Sequence, residues 1–243
     1  MPPSVPSSQP APAPLQPSPS PSEAQQTLAD YALLQARVDA FFAAVLARHP
    51  TALHCQAGCY GCCQAGLSVS AIEAAAIRGY LRALPPAAQD RLRDQVQRRA
   101  GHTKAASQST RDEPCALLDD EGRCAIYPVR PLVCRSQGLP LVYAATLIPA
   151  QALRFRAQDG RAVVCCPLNF AADSARDSAA PAVTPQAADL LDAERVDLLL
   201  AVLNRRFASQ MGQDPTHAAQ RTPLAALVLA ASDPDATAAP TGD

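Results

Sequence analysis

The most constraining feature of this 243-residue sequence is the segment His54-Cys55-Gln56-Ala57-Gly58-Cys59-Tyr60-Gly61-Cys62-Cys63, which places four of the nine cysteines within nine residues. Thiolates are soft metal ligands, and a zinc site needs several of them to converge about 2.3 Å from one ion. Gly58 and Gly61 let the backbone turn around such a point without Cβ clashes. The segment therefore predicts a loop that supplies part of a metal site.

The remaining cysteines follow later as Cys115, Cys124, Cys134 and the doublet Cys165-Cys166. Asp119-Asp120-Glu121-Gly122 is a turn sequence, so a hairpin would bring Cys115 beside Cys124. A strand is predicted over Leu139–Ile148. The Asp159-Gly160 turn then predicts a second hairpin, and its returning strand, Arg161–Cys166, would bring the last cysteine doublet to the site. We therefore expect the later cysteines to complete the site.

Each cysteine doublet limits how its two thiols can be used. Adjacent side chains point about 100° apart on a helix and to opposite faces of a strand, so Cys62 and Cys63 do not readily face one small ion. Either they serve neighbouring sites, or one ligates and the other packs. Nine thiols could form two four-thiolate sites with one left over, or one four-iron cluster and a tetrahedral zinc. One of Cys165 and Cys166 is expected to be spare.

Composition restricts the possible partners. A net charge of −1 offers no broad field to nucleic acid or anionic lipid. The sequence predicts neither a secretory signal nor an apolar run near the ~18 residues of a membrane span. We therefore expect a cytosolic chain, in which clustered cysteines more often bind metal than form disulfides. Burial as a small hydrophobe would suit Cys134 alone, but core packing does not produce four cysteines in nine residues.

The predicted fold class is α+β, mainly α-helical, with two small β-hairpins built around a cysteine-ligated metal centre. One domain is expected over residues 23–230, between Pro- and Ala-rich disordered tails at 1–22 and 231–243. Capping boxes start helices at Ser22 and Ser70, a third helix covers 87–100 and ends at Gly101, and the last starts at Thr184-Pro185. The last helix is expected to bury Val196, Leu199, Leu200, Leu203 and Phe207.

The cysteine order and the residues around Cys134 point to a known family. The pattern Cys55-x3-Cys59-x2-Cys62-Cys63, then Cys115, Cys124 and Ile126-Tyr127-x-x-Arg130-Pro131-x-x-Cys134-Arg135, resembles the YkgJ-type cysteine-cluster family over about residues 55–170. That family is described as a zinc- or iron-chelating domain with a Cys-x2-Cys-x2-Cys-Cys opening. Here three residues separate the first pair, so Cys55 departs from the family pattern. The family's final cysteine corresponds to Cys166, with Cys165 as the alternative.

The resemblance implies a metal site of about eight cysteines and, for most members, no established reaction. The cofactor would be zinc or iron, including an iron–sulfur cluster, and the implied ligands are Cys55, Cys59, Cys62, Cys63, Cys115, Cys124, Cys134 and Cys166. Arg130 and Arg135 bracket Cys134 and are expected to offset thiolate charge and to donate hydrogen bonds to sulfur. The alternative is that both arginines are surface residues or caps and that Tyr127 is a core aromatic.

Three functions fit this pattern. The favoured one is a metal-binding domain without catalysis of its own, because no phosphate-binding glycine loop, His-Glu-x-x-His or Gly-x-Ser-x-Gly motif occurs. The alternative is an iron–sulfur enzyme related to protein-lysine N-methylation, since flagellin lysine methylases resemble this family. The spacing of Cys55, Cys59 and Cys62 is also similar to that of radical S-adenosylmethionine enzymes, although no nucleotide loop or barrel alternation accompanies it. The third is a thiol redox protein.

Overall fold

The structure is a computed structural model that describes residues 21–103, 113–144, 155–157, 159–170, 183–214 and 219–230. The predicted tails lie outside these ranges, except for Pro21 and Ser22 at the start of the first helix. The predicted strand Leu139–Ile148 is described only up to residue 144. None of the helices in the described parts of the chain combines the length and the apolarity that a membrane span requires.

The described residues form a mixed α+β structure in which helices predominate, as predicted. The α-helices are α1 (Pro21–Arg48), α2 (Ala71–Ala83), α3 (Pro86–Thr103), α4 (Leu132–Ser136), α5 (Ala193–Gln210) and α6 (Leu224–Ala230). Short 3-10 helices cover Tyr127–Val129 and Ala187–Asp189. The strands are β1 (Ser68–Val69), β2 (Leu141–Tyr143), β3 (Phe155–Arg156), β4 (Ala162–Val164), β5 (Leu191–Asp192) and β6 (Thr222–Pro223).

The strands form two small sheets, and the longer one includes one of the two hairpins expected from the sequence. β1 pairs antiparallel with β6, and the other sheet has the order β3-β4-β2-β5, in which β2 and β5 are parallel. The predicted hairpin around Asp159-Gly160 is present as β3 and β4. The predicted hairpin around residues 119–122 is present as the isolated bridge between Leu118 and Cys124, flanked by backbone hydrogen bonds from Asp119 N–H to Arg123 O and from Ala125 N–H to Leu117 O. Strands of two or three residues are too short for the alternation of side chains to reveal their partners.

The sequence located the start of α2 correctly. Ser70 is its N-cap, and the backbone N–H of Ser70 donates to Glu73 Oε2 at 2.9 Å. The Ser70 hydroxyl donates to the same oxygen at 2.8 Å, so both groups of the predicted capping box meet. Leu84 follows as C-cap, because Pro85 disfavours helical backbone at the preceding residue.

Two predicted helix boundaries were wrong. Helix α3 continues through Gly101 to Thr103, since a glycine costs a helix only ~1 kcal/mol. Helix α5 starts at Ala193 rather than at Thr184, and the Asp192 carboxylate caps it by accepting from the backbone N–H of Arg195 at 3.0 Å. Residues 191–192 are held in β5 by their pairing with β2. This contact between distant segments overrides the local helix signal at 184–185.

The side chains of α5 follow the predicted apolar stripe with one exception. Phe207 is buried, and Val196, Leu200 and Leu203 pack against the core between α1, α2 and α5. Leu199 was predicted to be buried but is 41% exposed. At 3.6 residues per turn it lies roughly 60° from the centre of the stripe, on the solvent edge.

Three apolar clusters hold the helices together. The first joins α2, α3 and α6 to the segment around residues 115–129, including Leu117 and Ile126. The second joins α1, α2 and α5 and includes Leu132 of α4. The third packs the end of α1 against residues 139–141 and Phe170. The segments that carry the cysteines are therefore held between helices that have cores of their own.

Candidate metal centre

The four-cysteine segment forms a loop of consecutive turns, as predicted. The backbone N–H of Cys59 donates to Gln56 O at 3.0 Å, and that of Cys63 donates to Tyr60 O at 2.8 Å. Gly58 between them has φ +83°, a left-handed conformation that glycine adopts without strain. Each turn returns the chain on itself, and the thiols of Cys55, Cys59, Cys62 and Cys63 are half-buried or exposed.

The end of this loop is joined by backbone hydrogen bonds to the segment that carries Cys115. The Cys115 N–H donates to Cys63 O at 2.8 Å, and the Ala65 N–H donates to Glu113 O at 2.8 Å. Gln64 and Pro114 form the antiparallel bridge between these two bonds. Two cysteines that are distant in sequence are therefore neighbours in the fold.

The predicted turn at residues 119–122 folds Cys124 back toward Cys115. The Asp119 carboxylate accepts from the backbone N–H of Glu121 and of Arg123, at 3.0 and 2.7 Å, and Gly122 has φ +74°. The Ala125 N–H then donates to Leu117 O at 2.9 Å. Both thiols pack against the first apolar cluster. The expectation that the turn brings the two cysteines together is confirmed.

Cys63 lies close to three later cysteines in the fold, so that a negative charge on one of these thiols affects the pKa of the others. A hydrogen bond from the Cys62 thiol lowers the pKa of Cys63, against the effect of burial and of nearby Cys134, Cys115 and Cys124. Burial raises the pKa of Cys134 to about 12, with further contributions from Cys124 and Cys115. Loop, turn and α4 thus bring these thiols into one neighbourhood.

Cys55 is held in place by the side chain of Asn169, which follows the last cysteine doublet. The Asn169 side chain is fully buried and its amide donates to Cys55 Sγ at 3.2 Å and to Gly138 O at 2.8 Å. Its carbonyl oxygen accepts from the backbone N–H of His54 at 2.9 Å. Burial raises the pKa of Cys55, the Asn169 hydrogen bond opposes this, and the nearby thiols of Cys166, Cys59 and Cys62 add to the increase.

The two cysteines of the last doublet differ in their surroundings. Cys165 is buried, with 8% exposure, and its sulfur lies 3.7 Å from Asn169 O. Cys166 is half-buried, interacts with Cys55, and accepts a hydrogen bond from Asn169 N–H through its backbone oxygen at 3.0 Å. This geometry favours Cys166 over Cys165 as a member of the cluster.

Arg130 and Arg135 do not have the predicted hydrogen bonds to sulfur among the described contacts. Arg135 is buried and donates to Arg130 O at 2.9 Å, to Pro128 O at 2.6 Å, and to Asp39 of α1. Arg130 also contacts Asp39, at 3.2 Å. Arg135 therefore fixes the backbone before α4 instead of touching a thiol.

The charge of Arg130 nevertheless acts on the cluster. Burial raises the pKa of Cys124, and the guanidinium of Arg130 partly opposes this increase. The same guanidinium lies 3.9 Å from the ring centroid of Tyr127. Tyr127 is 61% exposed, so the alternative that it is a core aromatic is wrong.

Sequence reasoning missed the wider roles of Asn169, Asp39 and Glu73. Glu73 was recognised only as part of a capping box, yet its second oxygen accepts from the backbone N–H of Leu132 at 3.2 Å, which ties α2 to the helix of Cys134. Asn169 stands in the Cys-Pro-Leu-Asn sequence after Cys166, and its position near a cysteine was the only signal available. No feature of the sequence indicated a role for Asp39, because only the fold brings α1 beside Arg130 and Arg135.

Gly138 is expected to tolerate no side chain, because it has φ +94° and an added Cβ would overlap Cys55 Sγ and lie 3.2 Å from Asn169 Nδ2. Gly138→Ala should therefore lower the free energy of unfolding by roughly 2 kcal/mol and displace Cys55. Gly79→Ala is the matched control, since a Cβ there meets nothing within 4 Å and alanine favours the helix. Urea denaturation of both variants tests this; equal stabilities would contradict it.

Comparison with known proteins supports the resemblance. Residues 54–151 match a family model named CxxCxxCC and described as "Putative zinc- or iron-chelating domain". This segment is therefore similar to the CxxCxxCC family. It covers less than half of the chain and seven of the nine cysteines, and it ends before Cys165 and Cys166. Neither the search of curated proteins nor that of solved structures found a match.

The donor chemistry of the chain's cysteines suits the metals in the family description. Eight half-buried or exposed thiols are the soft ligands that zinc and iron–sulfur centres use, and none of the nine cysteines is in a disulfide. Among the described residues, no three His, Cys, Asp or Glu side chains already surround a common point. Sharing one ion would therefore require neighbouring thiols to move closer together.

Proposed function

We propose that this protein is a metal-binding protein in which eight of the nine cysteines hold zinc or iron. The proposed ligands are Cys55, Cys59, Cys62, Cys63, Cys115, Cys124, Cys134 and Cys166. The observation that supports this most strongly is the backbone bond from Cys115 to Cys63, which joins the two cysteine-bearing segments of the region that matches the family. Bound metal would supply cross-links between segments that have little regular structure of their own.

The residues near the cysteines are suited to stabilising thiolates rather than to catalysing a reaction of a substrate. Burial raises the pKa of the Cys124 and Cys115 thiols, and the guanidinium groups of Arg130 and Arg99 partly oppose this increase. The Asn169 amide donates to Cys55 Sγ. These groups offset negative charge on sulfur, which a polythiolate site accumulates. The role that fits them is to hold metal, structurally or for delivery, in a reducing compartment such as the cytosol.

Purified protein made without air is expected to contain metal in a fixed ratio to protein. Elemental analysis measures the ratio, and the absorption spectrum separates colourless zinc protein from the brown colour of an iron–sulfur cluster. Protein that contains no metal and takes up neither zinc nor iron would refute the proposal. Iron with sulfide, together with binding of S-adenosylmethionine, would instead indicate the enzymatic alternative related to lysine methylation.

A further inference from the structure

We propose that the solvent side of α1 and α5 is a docking surface for an acidic amphipathic helix of another protein. This surface, called the α1–α5 face, carries four large apolar side chains that are between 41% and 64% exposed: Leu33, Leu198, Leu199 and Val202. Single exposed apolar side chains are common on proteins, whereas a group of them marks an interaction site. The inference does not depend on metal binding.

The way α1 and α5 pack places these side chains near one another. At the start of α1, Thr27 Oγ1 donates to Gln210 Oε1 of the last turn of α5 at 2.8 Å. At the end of α1, the Arg48 guanidinium contacts the Asp189 carboxylate, shortly before α5 begins, at 2.8 Å. The two helices are therefore antiparallel neighbours along their length.

An ion pair between Arg206 and Asp30, at 3.4 Å, fixes the register of the two helices. Leu33 lies three residues after Asp30, and Val202 lies four residues before Arg206. At about 1.5 Å per residue these steps are about 4.5 and 6 Å, so Leu33 and Val202 lie at nearly the same height on adjacent helices. The two exposed leucines of α5 follow one turn further along. The four side chains thus belong to one apolar surface.

Arginines border this apolar surface. Arg195 and Arg205 lie on either side of the exposed leucines of α5, and Arg37 lies on α1. All three are exposed, and none has an ion pair with any residue that the structure describes. The acidic residue beside them, Asp30, is already bound by Arg206. The α1–α5 face is therefore apolar at its centre and positively charged at its edges.

This distribution of charge determines which partner fits. A second copy of the chain would place arginines opposite arginines across a two-fold axis, which is unfavourable. An amphipathic helix that borders its own apolar stripe with aspartate or glutamate would instead place carboxylates opposite the arginines. Its apolar stripe would cover the exposed leucines and add a third helix to the antiparallel pair, as in a helix bundle.

Photo-cross-linking in the cells that make the protein tests the chemistry of the partner. A benzophenone amino acid replaces Leu198, and the peptide that becomes attached to it is sequenced by mass spectrometry. The peptide should come from another protein and carry apolar residues at helical spacing with carboxylates beside them. The same probe at Leu229, an exposed leucine of α6, should not capture it. A peptide of this chain, a lipid adduct, or no product beyond that of the Leu229 control would overturn the proposal.

Two synthetic helical peptides measure the apolar and charged parts of the α1–α5 face separately. Both carry the same leucine stripe, which is bordered by glutamates in one peptide and by lysines in the other. The unmodified chain should bind the glutamate peptide at least about ten-fold more tightly, by a margin that decreases as salt is added. Arg195→Glu should reduce this margin and Leu198→Ser should weaken binding, whereas Leu229→Ser should change neither; circular dichroism establishes that each variant is folded. Equal affinity for the two peptides, or binding of neither, would overturn the proposal and leave the metal-binding function standing.

Discussion

Removing zinc from the loaded protein is expected to abolish the stability of the cysteine-bearing segments. Structural zinc contributes ~10 kcal/mol or more of folding free energy, which is as large as the ~5–15 kcal/mol net stability of a whole domain. Residues 51–66 and 113–131 contain turns, isolated bridges and one 3-10 helix, and therefore have little to replace the lost cross-links.

The effect should be uneven along the chain. Helices α1 and α5 share an apolar cluster that includes Tyr31, Val38 and Phe207 and contains no cysteine. Amide hydrogen exchange should therefore lose protection in residues 51–66 and 113–131 on addition of a strong chelator, and much less in α1 and α5. Cys165→Ser protein should respond as the unmodified chain does. Unchanged protection in the cysteine-bearing segments of metal-free protein would contradict the expectation.

Glu73→Ala is expected to be the most damaging single substitution outside the cysteines. The carboxylate is 2% exposed and accepts from Ser70 N–H, the Ser70 hydroxyl and Leu132 N–H. Alanine would leave at least two buried backbone donors without a partner, at about 1–3 kcal/mol each. We expect a loss of about 4 kcal/mol in the free energy of unfolding, measured by urea denaturation of the zinc-loaded protein.

Two control variants separate the causes of this loss. Glu73→Gln retains one acceptor oxygen in a side chain of nearly the same shape, so it should cost clearly less than alanine. Glu23→Ala removes an exposed glutamate from the first turn of α1, and we expect a change below about 0.5 kcal/mol. Because Leu132 begins the helix of Cys134, Glu73→Ala should also weaken zinc binding. Equal stability of Glu73→Ala and Glu23→Ala would contradict the role assigned to Glu73.

Several local features could be predicted because the residues concerned act only on their immediate neighbours. Ser70 and Glu73, three positions apart, form the capping box of α2 that the sequence predicted. Glycines and aspartate form the loop around Cys59 and the turn before Cys124, where φ is positive at Gly58 and Gly122. The CxxCxxCC resemblance likewise depends on the spacing of cysteines, which is a property of the chain itself.

Other features depend on contacts between segments that are distant in sequence, and these could not be predicted. The start of α5 moves to Ala193 because residues 191–192 pair with β2, and Asp189 is held by Arg48 and His49 at the end of α1. Arg135 was expected beside sulfur, yet a carboxylate from α1 and two backbone carbonyls bind it. A guanidinium binds the nearest well-oriented oxygens, and only the fold decides which oxygens those are.

The sequence by itself determined that this chain carries a cysteine loop, a second pair of thiols across a turn, and helices bounded by caps and prolines, because short-range sterics and hydrogen bonds fix these features. Only the tertiary structure decided which thiols are neighbours. The Cys63–Cys115 backbone bond and the buried Asn169 that reaches Cys55 both join distant segments. Such contacts form only after the apolar clusters have packed the helices, and packing of that kind is not encoded in the spacing of the cysteines.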